Sequence, residues 1–375
     1  MTLAFSRWLY FFSALILLNF ISCLAWAEAP SRDLPEIKEL SNPSPGSWTM
    51  VLLPDSQYYF DHTKDFRPKP EVFGSMIDWI IANKEQRNIG ITLHVGDIVD
   101  NNTPEEWEMA RKAFEPLNGV LPYVITTGNH EYTDNSRIRE TMLNDYFKTE
   151  DNALNDPQRG GILAQTMEPG HLENAFYDWQ APDGRKFAIF ALEWGVRNQA
   201  LDWANAVLQA GKFDDHTAVL LLHAYLYHDN TRFDWEAFGK DQSANPHSYG
   251  TANTGDTNDG RQLWTRLVKP HKAFEFVFCG HVSGTMAQRA YYDSGSEVAY
   301  LRSTGKNGNS VHQMLFNAQR RGDAGEGWLR LLEFQPDGKT VVVKTYSPWR
   351  DERGLTAWRT DPDNYFQLQL SPIKP

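Results

Sequence analysis

The sequence predicts an α/β fold in which two sheets pack face to face with helices on the outside. Three observations support this. Apolar strands alternate with amphipathic helices through the first half of the chain, hairpin signals dominate the last part, and the strands are apolar throughout rather than at every second residue. Strands of that last kind are covered on both faces.

The elements follow in order. "WTMVLLP", from Trp48, reads as a buried strand. "PEVFGSMIDWIIANKEQ" puts Val72, Phe73, Met76, Ile77, Ile80 and Ile81 on one helical face. "IGITLHVGD" is a second buried strand. "TPEEWEMARKAFEPLNG" opens a helix with Thr103 as N-cap, Pro104 at the first position and Glu106 closing a capping box. "LPYVITTGNH" is a third strand, and a βαβαβ order makes the three parallel. A hairpin follows, "NAFYDWQ" and "KFAIFALEW", turned by Pro182-Asp183-Gly184. Then come a helix near "ALDWANAVLQ", the strand "TAVLLLH" and an irregular stretch over 224–260. A loop that long inside a compact domain is usually functional. The helix "GRQLWTRLVK" leads into the strand "AFEFVFCGH", and mostly β segments follow, with "WLRLLEF" and "TVVVKTY" about Pro336-Asp337-Gly338.

Composition bounds the function. With 375 residues and 41% hydrophobic content, the chain can bury one large core or two moderate ones. The net charge of −12 disfavours a nucleic-acid duplex as partner. Small phosphorylated molecules remain open, because bound cations outweigh the protein's own charge locally. Residues 1–27 read as a signal peptide: Arg7 is the positive flank, "WLYFFSALILLNFISCL" the apolar segment, and Ala25-Trp26-Ala27 the cleavage site. Cleavage after Ala27 leaves no stable membrane anchor and implies a secreted or periplasmic protein, while "FISC" is a poor lipobox for lipidation at Cys23. Without the leader Cys279 is the only cysteine, so no internal disulfide is expected. Residues 28–47, polar and rich in proline, read as a linker. Residues 48–375 form one domain, with a C-terminal β extension from about 285.

Five apolar runs stop in residues of one chemical kind. The first ends in Asp55, the second in "GDIVD", the third in "GNHE", the fourth in "LLLHAY" and the fifth in "FCGHVSG". Ligands of open α/β sheets gather beyond the carboxyl ends of the strands. Asp55, Asp97, Asn129, His130, His223 and His281 would meet there, a mixed oxygen and nitrogen set suited to a divalent cation. Any one of these residues alone reads as a helix cap or a turn.

With these motifs the chain resembles the calcineurin-like metallophosphoesterases, whose pattern runs D-x-H, G-D-x-x-D, G-N-H-[DE], H and G-H-x-H. The matching residues are Asp55-Ser56-Gln57, Gly96-Asp97-Ile98-Val99-Asp100, Gly128-Asn129-His130-Glu131, His223, and Gly280-His281-Val282-Ser283. The resemblance implies a four-layer αββα sandwich of two mixed sheets with one or two divalent metal ions between them. Mn, Zn, Fe, Mg and Ca are not distinguished. It implies that Asp97 bridges the metals, that Asn129, His223 and His281 complete the second site, and that Asp55 belongs to the first. The first site departs from the pattern twice, with Gln57 and Ser283 where the family has histidines. Gln57 is a weaker, harder donor than imidazole, so a first site built this way favours an oxygen-loving ion or fills only when substrate adds oxygens. Asp100 is either a replacement ligand or an acceptor orienting a histidine.

The function so implied is that of an exported metal-dependent phosphoesterase. It hydrolyses mono- or diesters by attack of a metal-activated hydroxide, with Asp97 holding the metals. His130 stands beside the leaving oxygen as acid or charge stabiliser, with Glu131 or another carboxylate orienting it. Specificity falls to loop aromatics, namely Tyr58, Tyr59 and Phe60 and, in 224–260, Tyr225, Tyr227, Trp235 and Tyr249; packing of the loops is the other reading of them. His228, Asp229 and Arg232 are near enough to His223 to touch a phosphate, while His94 and His312 read as structural. No G-x-S-x-G, H-E-x-x-H or P-loop occurs. The alternatives are a hydrolase retuned to a non-phosphate bond and a non-catalytic metal-binding protein.

Overall fold

The computed structural model describes residues 42–63, 67–211, 213–283 and 297–372. The expected leader over 1–27, Cys23 within it, and the linker as far as residue 41 lie outside the described residues.

Among the described residues the strands form two seven-stranded sheets. The first contains β1 (Trp48–Leu53), β2 (Ile89–His94) and β3 (Tyr123–Ile125), parallel to one another. Its other half is antiparallel: β11 (Leu329–Phe334) pairs with β1, β12 (Thr340–Tyr346) with β11, and β13 (Trp358–Arg359) and β14 (Phe366–Gln369) both pair with β12. The second sheet runs β4 (Leu163–Thr166), β5 (Ala175–Gln180), β6 (Lys186–Ala191), β7 (His216–Leu221), β8 (Phe274–Cys279), β10 (Ser310–Phe316) and β9 (Val298–Thr304). Strands β6, β7, β8 and β10 are parallel, so their carboxyl ends leave one edge. Both expected hairpins form, β5–β6 and β11–β12.

Period-two packing accounts for the uninterrupted apolar runs. On β6, Phe187 and Ile189 join the core between the sheets, while Ala188 and Phe190 join the core beneath the outer helices. On β7, Val219 and Leu221 face one way, Ala218 and Leu220 the other. Helices α1 (Pro70–Asn83) and α2 (Pro104–Phe114) cover the first sheet with Phe73, Met76, Ile80, Trp107 and Phe114. Helices α3 (Asn198–Ala210) and α4 (Gly260–Leu263, running on into a π turn, Trp264–Val268) cover the second with Leu201, Ala204, Leu263 and Leu267. The result is the predicted helix–sheet–sheet–helix sandwich.

The segments beyond residue 297 belong to both sheets: β9 and β10 complete the second and β11 to β14 the first. One local expectation is corrected. Thr103 does precede α2, but no capping box forms. The Glu106 carboxylate instead accepts from the backbone N–H and side-chain amide of Asn101, leaving Thr103 Oγ1 buried without a partner. No helix of the described residues is long and apolar enough to cross a membrane.

Trp48 joins the sheets at the entry of β1. Its ring stacks on Phe334 at 3.9 Å and meets Trp179 and Phe187 of the opposite sheet edge-on at 5.5 and 5.9 Å. Trp48→Ala is expected to lower unfolding free energy by about 3–5 kcal/mol in chemical denaturation. Cation binding by the remaining folded protein should be unchanged, because the centre lies past the other end of the strand.

Candidate metal centre

The strands deliver their ligands within a few residues of their ends. Asp55 follows β1, Asp97 follows β2, Asn129 follows β3, His223 follows β7 and His281 follows β8. Two of the turns require backbone that side chains rarely adopt, Asp97 at φ 52° and His281 at φ 71°. Such strain concentrates at functional sites. Two glycines make the close approaches. A Cβ on Gly128 would lie 2.1 Å from Asp97 Oδ1, and one on Gly280 would lie 2.0 Å from Asp55 Oδ1. The glycines of "GNH" and "GHV" are therefore spaces that carboxylates occupy.

Asp97, His223 and His281 converge, with their ligand atoms all within 4.8 Å of one another. His223 Nε2 lies 3.1 Å from Asp97 Oδ2 and 3.1 Å from His281 Nδ1. The other ring nitrogens face backbone carbonyls, His223 Nδ1 at 2.9 Å from Val95 O and His281 Nε2 at 2.8 Å from Ala244 O. A carbonyl only accepts, so the protons sit on those nitrogens and two lone pairs turn toward Asp97. Three acceptors so close require a positive charge among them. Burial opposes protonation of His223, but Asp97 and Asp55 outweigh it and raise its pKa to about 9. A proton on His223 therefore serves when no cation does, and a metal ion must displace it. Burial and the neighbouring His223 depress His281 to about 3, leaving it a neutral imidazole. Asn129, on the turn after β3 whose His130 N–H donates to Asp97 Oδ1, carries a buried Oδ1 with no partner among the described residues. The carboxylate and two imidazoles that converge are a donor set that fits a divalent cation such as Mn, Fe or Zn.

The expected first site does not fit. Asp55 stands outside that cluster, its oxygens accepting from His281 N at 3.0 Å, Asn317 Nδ2 at 2.8 Å and Gln319 Nε2 at 3.1 Å. Gln57 Nε2 donates to Asp97 Oδ2 at 3.1 Å and to Gln319 Oε1 at 2.6 Å. Ser283 Oγ accepts from Arg320 Nε at 2.6 Å. Asp55 and Gln57, expected as ligands, are bonded to protein amides instead, because β10 runs parallel to β8 and delivers Asn317 and Gln319 between them. These two residues and Arg320 were missed in the sequence, although "HQMLFNAQR" is another apolar run followed by polar residues, Asn317, Gln319 and Arg320.

His130 lies at the edge of a cleft of about 1400 Å³, lined also by Tyr58, Asp100, Gln319 and Arg320. Its Nδ1 is 2.7 Å from the Asp100 carbonyl and its Nε2 is 3.9 Å from Asp97 Oδ2. Burial works against its charge, but Asp97 and Asp100 prevail and raise its pKa. Asp100 is thus the acceptor orienting this histidine. Glu131 is not: its fully buried carboxylate accepts from the backbone N–H groups of Asp97, Val99 and Gly128 and fixes both ligand turns.

Of the loop aromatics, Tyr58 faces the cleft, while Tyr59, Phe60, Tyr225 and Tyr227 are core. Tyr249 packs beside His281, with ring centroids 5.9 Å apart. Arg232 is engaged with Gln313 and Ser303, and Asp229 with Thr231. His94 and His312 are buried and bonded to Ser56 and to Tyr300. The 224–260 stretch contributes the Ala244 carbonyl that holds His281.

Gly128→Ala forces a methyl group into the Asp97 carboxylate, and Glu131→Gln exchanges an acceptor-only group for one that also donates. Both variants are expected to lose cation affinity by about 10–100-fold, measured by titration calorimetry with Mn²⁺.

The uncharacterized protein YvnB of Bacillus subtilis (strain 168) is 27% identical over 342 residues, 89% of this chain, and the chain spans only 22% of that protein's length. Among solved structures, the NAD nucleotidase NadN of Haemophilus influenzae aligns with a TM-score of 0.36 and 13% identity, over 81% of this chain and 48% of its own. GAP50, the anchor in the inner membrane complex of Plasmodium, aligns with a TM-score of 0.43 and 10% identity, over 88% of this chain and 90% of its own. The family model for the calcineurin-like phosphoesterases matches residues 69–285, more than half of the chain. The chain belongs to the calcineurin-like phosphoesterase family.

Proposed function

We propose that this protein is a metal-dependent hydrolase of phosphate mono- or diesters of small molecules, working outside the cytoplasm. The observation that carries the reading is the convergence of the buried ligand atoms of Asp97, His223 and His281 within 4.8 Å, with His130, which lines an open cleft, 3.9 Å from Asp97. Asp97, Asn129, His223 and His281 would hold the ion. When bound there, a divalent cation acidifies water and polarises a phosphoryl oxygen.

The chain's own groups divide the remaining work. The Val95 and Ala244 carbonyls keep the two imidazoles in the ligating tautomer. Asp100 holds Nδ1 of His130, so the proton the ring gives comes from Nε2, which faces Asp97 across 3.9 Å at the cleft edge. In hydrolysis a water oxygen bonds to phosphorus as the ester P–O bond breaks toward the alcohol oxygen. That oxygen takes the Nε2 proton of His130, and the proton lost by the water passes to solvent. The net charge of −12 makes a fixed cation the more necessary for attracting an anionic substrate.

Two experiments test this. With Mn²⁺ supplied, the purified protein should turn over p-nitrophenyl phosphate or its bis ester, lose activity on chelation and regain it on re-addition. His130→Ala should lower kcat by about 10²–10⁴-fold while retaining the metal, whereas Asp97→Asn should lose both. A metal-loaded protein that cleaves neither ester rules the reading out.

Export rests on the leader alone. Intact-mass analysis of the protein from a secreting host should show a mature chain beginning at Glu28. A chain that retains residues 1–27 in the cytoplasm would refute it.

A further inference from the structure

The position between Asp55 and Asp97 is spanned by amides whose orientation the network itself determines. The Asp55 carboxyl oxygens already accept from His281 N–H and Asn317 Nδ2, and the Asn317 oxygen is taken by Gln319 N–H. The Gln319 atom 3.1 Å from Asp55 Oδ2 is therefore the amide nitrogen. The Gln319 oxygen then faces Gln57, so the Gln57 atom 2.6 Å from it must be a nitrogen, and the same nitrogen lies 3.1 Å from Asp97 Oδ2. The relay Asp55–Gln319–Gln57–Asp97 is bounded by a carboxylate at each end, and its bonds point outward from Gln57 Nε2, to Asp97 on one side and through Gln319 to Asp55 on the other. A cation between those carboxylates would have to replace donors that already fill Asp55. The one atom of the relay left without a partner, Gln57 Oε1, is a single neutral oxygen.

Beside the relay stands an arginine with a free face. The other cationic side chains lining the cleft are paired: Lys69 with Asp323, Arg321 with Glu297, Arg350 with Glu326, and Arg359 with Asp361. Arg320 pairs with no carboxylate among the described residues. Its bond is from Nε to Ser283 Oγ, and among the described residues the two terminal nitrogens of the guanidinium have no hydrogen-bond partner in the cleft that His130 also lines. A planar guanidinium anchored through Nε presents a fork suited to two oxygens of a phosphoryl group.

We propose that the centre takes one divalent cation, at Asp97, Asn129, His223 and His281, and that Arg320 binds the substrate's phosphoryl oxygens on the side where the Gln57–Gln319–Asn317 amides replace a second ion. This rests on the phosphoester reading above. Ser283 and Gln57 are then parts of one exchange: the hydroxyl seats the arginine, and the amide links the two carboxylates.

The test uses the full chain, loaded with excess Mn²⁺, desalted and analysed by plasma mass spectrometry. One Mn per chain is expected, and two per chain overturns the proposal. Calorimetric titration of the loaded protein with inorganic phosphate then compares wild type with Arg320→Met and Arg320→Lys. Arg320→Met should weaken phosphate binding by about 10–100-fold with the metal count unchanged, and Arg320→Lys should recover part of the loss. Equal phosphate affinity in Arg320→Met and wild type overturns the arginine's role. Two cations with phosphate binding intact overturn this proposal but spare the phosphoester reading. One cation with no phosphate bound and no ester cleaved overturns both.

Discussion

The centre depends on one carboxylate placed where the two sheets meet. Asp97 leaves β2 of the first sheet, and its Oδ2 lies 3.1 Å from His223 Nε2, which leaves β7 of the second. The carboxylate is 2% exposed, and burying it without compensation would be prohibitively costly. Compensation comes from several sides: the proton on His223, the Gln57 amide and the backbone N–H of His130. Its left-handed backbone, at φ 52°, adds strain of about 1–2 kcal/mol. That strain persists because Glu131 collects three backbone N–H groups around the same turn. Electrostatics, backbone strain and sheet packing therefore constrain one residue together, and the positive charge that balances them is the charge the chemistry uses.

Much of this was legible in the sequence because of one geometric rule. Parallel strands in one sheet present their carboxyl ends at one edge, so the apolar run ending in Asp97 in the first sheet and those ending in His223 and His281 in the second deliver residues far apart in sequence to one place. The same rule held for "HQMLFNAQR", yet it was passed over because a late strand among hairpins gives no sign of running parallel to β8. Pairing register is tertiary information. Glu131 illustrates a second limit. Adjacency in sequence suggested that it orients His130, but a residue's neighbour on an extended turn points the other way, toward the Asp97 and Gly128 amides. Thr103 shows a third, where a local capping pattern lost to a longer-range pull on Glu106 from Asn101.

The amide relay and a cation solve the same structural problem with different chemical consequences. Two buried carboxylates can be brought near each other only if positive charge or oriented N–H dipoles stand between them. Amide donors supply the dipoles with no dependence on metal supply, and charge-assisted bonds of this kind are strong. They do not polarise a water molecule or accept a phosphoryl oxygen. Those tasks then fall to the remaining cation and to donors that face the cleft, and a relay that is inert on its own leaves them with His130 on one side and Arg320 on the other.

Asp55 explains why the exchange left a carboxylate behind. If its only role were to ligate an ion, nothing would hold it in place once the neighbouring histidine positions carried Gln57 and Ser283. In this structure it is a fastening between strands: it follows β1, accepts the His281 backbone N–H beyond β8, and accepts the Asn317 and Gln319 amides beyond β10. A buried donor stripped of its acceptor costs about 1–3 kcal/mol, and removing Asp55 strips three at once. One of the three is the backbone of His281, whose side chain must aim Nδ1 at the shared ion from a strained φ of 71°. Through that bond Asp55 bears on the geometry of the His281 turn and of the site beside it.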